Sequence, residues 1–416
     1  MVEESNGVSA PPAEAPDDNS RSSRRRRPRR RRGRRPPSEG GGARAQVSGY
    51  LFSRDDGKSF LIRPENRFRL GPEDPQIDGS LLARLHLESG LALDGEMVAG
   101  NGRPRGTVVS FNTIEGMSPE EYREKAVPFS ELTSIDPHER FRLETDPEII
   151  EPRVVELLAP IGRGQRCLIV APPKAGKTRL LQQFAHAIAV NHPETRIFVL
   201  LVDERPEEVT DWRRSIIKGE VYASSSDESV ASHIEVSEMV LERSRRLVEL
   251  GEDVVVFMDS LTRMSRAYNN AQKSSGRIMS GGIDARTMEK PRRFFGSARK
   301  IEGGGSLTIV ATCLVDTGSR MDEVIFQEFK GTGNMEIVLT RDLFERRIFP
   351  TLHIQQSGTR KEEKLYSAAE VEKIYLLRRA LAALSPHEGM QLLLQRLKQY
   401  RSNAEFLGSI QSGNGR

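Results

Sequence analysis

The stretch CLIVAPPKAGKTRLLQQFAHAIAV, residues 167–190, decides the fold. Cys167 to Val170 is a short apolar run suited to a buried strand, Ala171 to Thr178 reads A-P-P-K-A-G-K-T, and apolar residues recur at helical spacing from Arg179 to Val190. Strand, phosphate loop and helix in that order form an anion cradle, because the loop's N–H groups and the helix N-terminus both face negative charge. Lys177 can reach the β- and γ-phosphates of ATP, and the Thr178 hydroxyl can ligate Mg²⁺. Pro173, Lys174, Ala175, Gly176 and Arg179 are further candidate ATP contacts around the loop, with Arg205, Arg347 and Phe349 as candidates later in the chain. Ala171 stands where the usual pattern has its first glycine.

Outward from this loop, strand-like and helix-like stretches alternate to about Cys313, as an α/β core requires. The apolar run Ile197 to Val202 ends in Asp203-Glu204-Arg205, at the carboxyl edge where open α/β sheets bind ligands. Glu204 is the candidate general base for the water that attacks the γ-phosphate, and a solvated loop acid is the plainer alternative. Arg205 follows it as a further nucleotide-side candidate. The run Val254 to Met258 ends in Asp259, a second candidate for Mg²⁺.

Two glycine-bearing loops each hold an arginine: Gly276-Arg277 with Ser280-Gly281-Gly282, and Asp316-Thr317-Gly318-Ser319-Arg320 after the run Leu307 to Cys313. Backbone N–H groups approach a sugar-phosphate strand closely where side chains are absent, although ordinary surface loops have the same composition. Arg347 and Arg360 lie beyond the core strands; either could be supplied across a subunit boundary during phosphoryl transfer, and the sequence alone does not choose. Phe349 suits either the adenine face or the core.

The flanks differ in kind. Residues 1–45 hold twelve arginines against six acids, a surplus of six in a chain whose net charge is +4, so the remainder is slightly acidic. That composition predicts a disordered basic tail able to neutralise phosphates. Short apolar segments separated by turn signals from Val47 to Phe111 predict a small all-β barrel within residues 46–120. A polar connector fills 121–148, and the α/β domain fills 149–416. Ser367 with Glu370, and Ser385-Pro386 with Glu388, start two late helices. No stretch approaches the roughly 18 apolar residues of a membrane span, and no secretion signal opens the chain. Cys167 and Cys313 sit in strand-like runs, so small core residues in a reducing cytoplasm are expected.

Seven ordered motifs then carry a family resemblance: A-P-P-K-A-G-K-T, D-E-R-P-E-E-V-T, D-S-L-T-R, G-G-I-D-A, L-V-D-T-G-S-R-M-D-E-V-I, F-K-G-T-G-N-M-E and S-G-T-R-K-E-E. From about Ile149 to the C-terminus the chain resembles the transcription termination factor Rho family. The resemblance implies a homohexameric ring of RecA-like ATPase cores, each preceded by an OB-type barrel, that translocates along single-stranded RNA and dislodges the RNA polymerase elongation complex. It makes Arg360 the preferred arginine finger with Arg347 a second interface contact. It aims Arg277, Gly281, Gly282, Thr317, Gly318, Ser319 and Arg320 at RNA in the channel. Arg277 and Arg320 stand where the family more commonly has lysine, and the charge is retained.

The barrel departs from the family pattern. Where a Gly-aromatic-Gly-aromatic platform is usual, this chain reads Gly57-Lys58-Ser59-Phe60-Leu61-Ile62, leaving Phe60 as the one candidate for base stacking. The basic tail is expected to compensate by non-specific capture of RNA. The rival readings are another hexameric RecA-like ring, such as a rotary or secretion ATPase, and an RNA-binding protein with a vestigial ATPase core.

Overall fold

The structure, a computed structural model, describes residues 44–54, 56–99, 105–271 and 286–411. The tail up to residue 43 and the glycine loop with Arg277, Gly281 and Gly282 lie outside the described residues.

Strand β1 (Arg44–Ser53) starts two residues inside the stretch assigned to the tail. With β2 (Ser59–Ile62), β3 (Gln76–Ile77), β4 (Ala92–Val98) and β5 (Thr107–Ile114) it closes a barrel in the order β1-β2-β3-β5-β4. The β3–β5 pair is parallel and the others are antiparallel, and helix α1 (Gly79–Leu85) links β3 to β4. These are the features of an OB-type barrel. Strand β1 passes from β4 to β2 at Tyr50, and Gly49 beside it lets the Ile62 backbone approach closely: a Cβ there would lie 2.4 Å from the Ile62 carbonyl oxygen. Leu51, Leu61, Leu93 and Val108 fill the interior.

The connector is more structured than its polarity suggests. Ser118 and Glu121 form a capping box for α2 (Pro119–Lys125), and β6 (Ser134–Ile135) pairs with a core strand.

The core follows as α3 (Ile150–Leu158), β7 (Arg166–Ala171), α4 (Lys177–Asn191), β8 (Arg196–Glu204), α5 (Pro206–Ser215), β9 (Glu220–Ser225), α6 (Val230–Glu249), β10 (Asp253–Asp259), α7 (Leu261–Ala271), α8 (Glu289–Gly296), β11 (Arg299–Ile301), β12 (Ser306–Leu314), α9 (Arg320–Lys330), β13 (Met335–Val338), α10 (Arg341–Glu345) and β14 (Gly358–Thr359). The sheet runs β14-β13-β7-β12-β10-β8-β9; β13 through β9 in that order are parallel, and β14 is antiparallel. Strands β7, β8, β10 and β12 are almost continuously buried, which is why they read as apolar runs without alternation.

Their side chains still alternate between two cores. Cys167, Ile169, Val199 and Phe257 face one core with α3 and α4, while Leu168, Val170, Leu200 and Val256 face the other with α6 to α9. Barrel residues Phe52, Ile62 and Phe68 enter the second core, and Phe68 stacks on Tyr222 with ring centroids 4.1 Å apart. Cys167 and Cys313 are free and buried, and burial pushes the Cys313 thiol up to about 12. The late helices α11 (Ala368–Ala382) and α12 (Pro386–Leu397) begin where their caps predict: the Ser367 N–H donates to Glu370 at 2.8 Å and the Ser385 N–H to Glu388 at 3.2 Å. Helix α13 (Asn403–Ser409) ends the described chain.

Candidate functional site

The loop between β7 and α4 takes its shape from two left-handed residues, Lys174 (φ 64°) and Gly176 (φ 87°). Gly176 caps α4 without a side chain, and no acidic residue occupies the first turn, so the helix N-terminus is open to an anion. The Thr351 hydroxyl donates to the Ala175 carbonyl at 2.6 Å and pins the loop from across the fold. Phe349 borders Ala175, Gly176 and Arg179, and the Arg179 guanidinium lies 5.9 Å from its ring. The structure therefore brings Phe349 and Arg179 to the loop, with Arg179 also bonded to Glu151 at 2.9 Å.

Glu204 and Asp259 are the last residues of β8 and β10, and both are almost fully buried. Lys177 Nζ bonds the Asp259 carboxylate and lies 3.6 Å from Glu204 Oε1. The Thr312 hydroxyl donates to Asp259 Oδ1 at 2.7 Å. From α7, Arg263 approaches Glu204 at 3.2 Å and Asp203 at 3.2 Å. Glu208, in the first turn of α5, completes a trio with Glu204 and Asp259 whose ligand atoms lie within 4.8 Å of one another. Burial and the Asp259 charge raise the Glu204 pKa, against Lys177 and Arg263, which lower it. Burial alone would lower the Lys177 pKa, but Asp259 and Glu204 outweigh it and raise the value.

Three carboxylates here face two cations, Lys177 and Arg263, so the cluster has room for further positive charge. With the Thr178 hydroxyl in the first turn of α4, the donor set is all hard oxygen and fits Mg²⁺. Sequence reasoning missed Glu208, Arg263 and Thr312. Glu208 lies four residues after Glu204, a spacing that could have flagged it once a helix start at Pro206 is recognised.

The two candidate arginines separate. Arg347, exposed and left-handed (φ 59°), lies on the loop's side of the sheet with its guanidinium 5.4 Å from the Phe344 ring. Arg360 lies at the opposite edge: β14 pairs with the start of β13, and the Arg360 N–H donates to Asn334, which bonds Arg166 at the start of β7. Five residue steps along β7 separate that row from Ala171, roughly 16 Å at strand rise. Arg360 is exposed beside a cavity of about 460 Å³ and has no ion-pair partner among the described residues. Arg205, also exposed, is the N-cap of α5.

The loop after β12 is anchored from below. Asp316 (φ 54°) and Gly318 (φ 75°) are left-handed, and the Thr317 hydroxyl donates to Asp322 at 2.6 Å while accepting the Ser319 N–H at 3.2 Å. Asp322 is buried and takes a bidentate bond from Arg266 on α7, 2.9 Å at Nε. Helix α7 starts two residues after Asp259, so this loop is tied to the carboxylate cluster through one helix. Arg320 opens α9 and is exposed. Phe60 is placed differently from an open stacking platform: it is 6% exposed, with the Arg105 guanidinium 4.9 Å and that of Arg54 5.8 Å from its ring.

Residues 152–359 match the family model described as the ATP synthase alpha/beta family, nucleotide-binding domain. Two solved structures share the fold at low identity. One is a prototypical ATPase of a bacterial type III secretion system (TM-score 0.54, 22% identity, 64% of this chain and 73% of that one). The other is an ATP synthase subunit from Nanoarcheaum equitans (TM-score 0.56, 17% identity, 68% and 78%). The transcription termination factor Rho of Cereibacter sphaeroides is 48% identical over 366 residues, covering 87% of this chain and 86% of its own. That of Streptomyces coelicolor is 50% identical over 369 residues, covering 89% and 87%, and that of Aquifex aeolicus 47% over 367, covering 88% and 84%. With such identity running through both the barrel and the nucleotide-binding core, the chain belongs to the transcription termination factor Rho family.

Proposed function

We propose that this chain is an ATP-driven translocase on single-stranded RNA that terminates transcription by releasing RNA from the RNA polymerase elongation complex. The observation that carries the reading is the placement of Lys177 between Asp259 and Glu204 at the mouth of an open phosphate loop. A polyphosphate in the loop draws Lys177 onto the β- and γ-phosphates and frees both carboxylates. Asp259, steadied by Thr312, and Thr178 would hold Mg²⁺, which would supply charge neutralisation at the phosphate oxygens. Glu204, left with Arg263 at 3.2 Å, orients the attacking water and accepts its proton, for which a raised pKa is suited. Phe349 stacks on the adenine.

Arg360 lies too far along β7 to reach its own loop, so in this reading it serves the site of a neighbouring subunit. A homohexameric ring supplies that neighbour, with Arg205 and Arg347 contacting the same interface. Thr317 to Arg320, together with Arg277, Gly281 and Gly282, grip RNA in the channel. The Arg266–Asp322–Thr317 bonds carry the nucleotide state at Asp259 to that loop. At the barrel, Arg54 and Arg105 supply phosphate contacts where Phe60 is covered, and the basic tail adds capture. No helix among the described residues is long and apolar enough to cross a membrane, and the cytoplasm is the compartment where such a reaction takes place.

ATP hydrolysis measured without polymer, with poly(C), with poly(U) and with single-stranded DNA tests this reading. Stimulation by RNA that vanishes in Lys177→Ala is expected. Equal turnover in every condition would replace it with a polynucleotide-independent ring ATPase of the secretion or rotary kind.

A further inference from the structure

We infer that the chain carries a second phosphate-binding site, remote from the nucleotide loop, where the connector packs against the end of α6 and the turn between α8 and β11. A cavity of about 530 Å³ opens there, lined by the four arginines Arg245, Arg246, Arg293 and Arg299 against one carboxylate, Glu88, with Phe129 at its wall. Its charge does not balance. Arg246 is paired with Glu88 at 2.6 Å and Glu249 at 2.9 Å, and Arg245 with Glu242 at 2.7 Å. Those pairs consume the nearby carboxylates, and Arg293 and Arg299 have no carboxylate partner among the described residues.

Arg245 is committed, to Glu242 and to the Ser297 hydroxyl at 2.7 Å, whereas Arg293 and Arg299 are held ready. Among the described residues Arg299 donates only to the Ser297 carbonyl, at 3.2 Å. Its guanidinium lies 4.7 Å from the Phe129 ring, and that of Arg245 lies 5.5 Å from the same ring. Arg245 is 8% exposed, and its Nε is buried without a hydrogen-bond partner. Burial, then the neighbouring Arg293, Arg246 and Arg299, hold its pKa down against the pull of Glu242. The Arg293 and Arg299 guanidinium forks with the exposed Ser130 hydroxyl beside them match a tetrahedral oxyanion that accepts several hydrogen bonds at once, and a phosphate meets that description. Two sources present the same chemistry: the RNA backbone and a free polyphosphate. The inference rests on the cavity's charge and geometry and does not require that the chain translocate.

Binding of inorganic tripolyphosphate and of a short single-stranded RNA is titrated with the nucleotide loop saturated by a non-hydrolysable ATP analogue. Wild type is compared with Arg293→Gln, Arg293→Lys and, as a distant control on the exposed end of α12, Lys398→Gln. Arg293 is exposed, so its replacement leaves the packing intact. Arg293→Gln is expected to weaken tripolyphosphate about tenfold, the size of one charge-assisted contact, with Arg293→Lys intermediate and Lys398→Gln unchanged. A fall of about 0.7 in the salt slope of RNA binding assigns the site to the backbone, whereas an effect on tripolyphosphate alone assigns it to a free polyphosphate. Wild-type binding of both probes by Arg293→Gln, with an unchanged melting curve, would overturn the inference.

Discussion

The two edges of the parallel sheet carry opposite kinds of charge. At the carboxyl edge Lys177, Glu204, Asp259 and Arg263 satisfy one another in a buried cluster. At the amino edge Arg360 stands exposed without an ion-pair partner among the described residues, close enough to Arg166 to help depress that group's pKa after burial and Arg299. One edge gathers the groups proposed for phosphoryl transfer, and the other presents a cation with no carboxylate partner among the described residues. In the proposed reading, the difference means that a single chain holds the parts of one site in two places, which a head-to-tail neighbour would reunite.

The largest effect should come from the amino edge. Arg360→Ala is expected to lower RNA-stimulated turnover by about 10³ or more while leaving ATP affinity of the isolated chain nearly unchanged. A variant that binds ATP as poorly as it hydrolyses it would place Arg360 at its own loop and erase the contrast. At the carboxyl edge, Glu204→Gln should cost about 10² to 10⁴ in turnover with ATP binding retained, read from single-turnover hydrolysis beside equilibrium titration. Phe349→Ala is expected to weaken ATP binding about tenfold with little change in turnover at saturation.

The smallest effect lies outside both edges. Burial, opposed by Arg246, raises the Glu249 pKa from 4.5 to about 7. The folded chain therefore binds the extra proton between those values, and the stability that proton confers is lost as pH rises through the window. Glu249→Gln keeps the acceptor for the Phe129 N–H and removes the titration. Its melting temperature relative to wild type should rise by about 2 °C between pH 5 and pH 8, and a constant difference would assign the titration elsewhere.

Local order made the carboxyl edge readable from sequence. Strand, loop and helix are contiguous from Arg166 to Asn191, and Glu204 and Asp259 terminate apolar runs that need no partner to be recognised. What escaped depends on contacts far apart in the chain. Arg263 meets Glu204 across 59 positions, and Arg266 meets Asp322 across 56. The arginine over Phe60 reaches it from residue 105, across the barrel, so a ring that reads as a platform is covered. Strand β6 spans two residues, too few for any periodicity, and only its partner β11 reveals it. The position of Arg360 needed the sheet order, because its distance from the loop is set by where β14 joins β13.

The most direct test is to coexpress Lys177→Ala with Arg360→Ala, each silent alone, and to measure RNA-stimulated ATP hydrolysis by the mixed assemblies. A site shared between neighbours predicts turnover well above the sum of the two parents, because some interfaces then pair an intact loop with an intact Arg360. Turnover that never exceeds that sum, at any ratio of the two chains, would contradict the shared site.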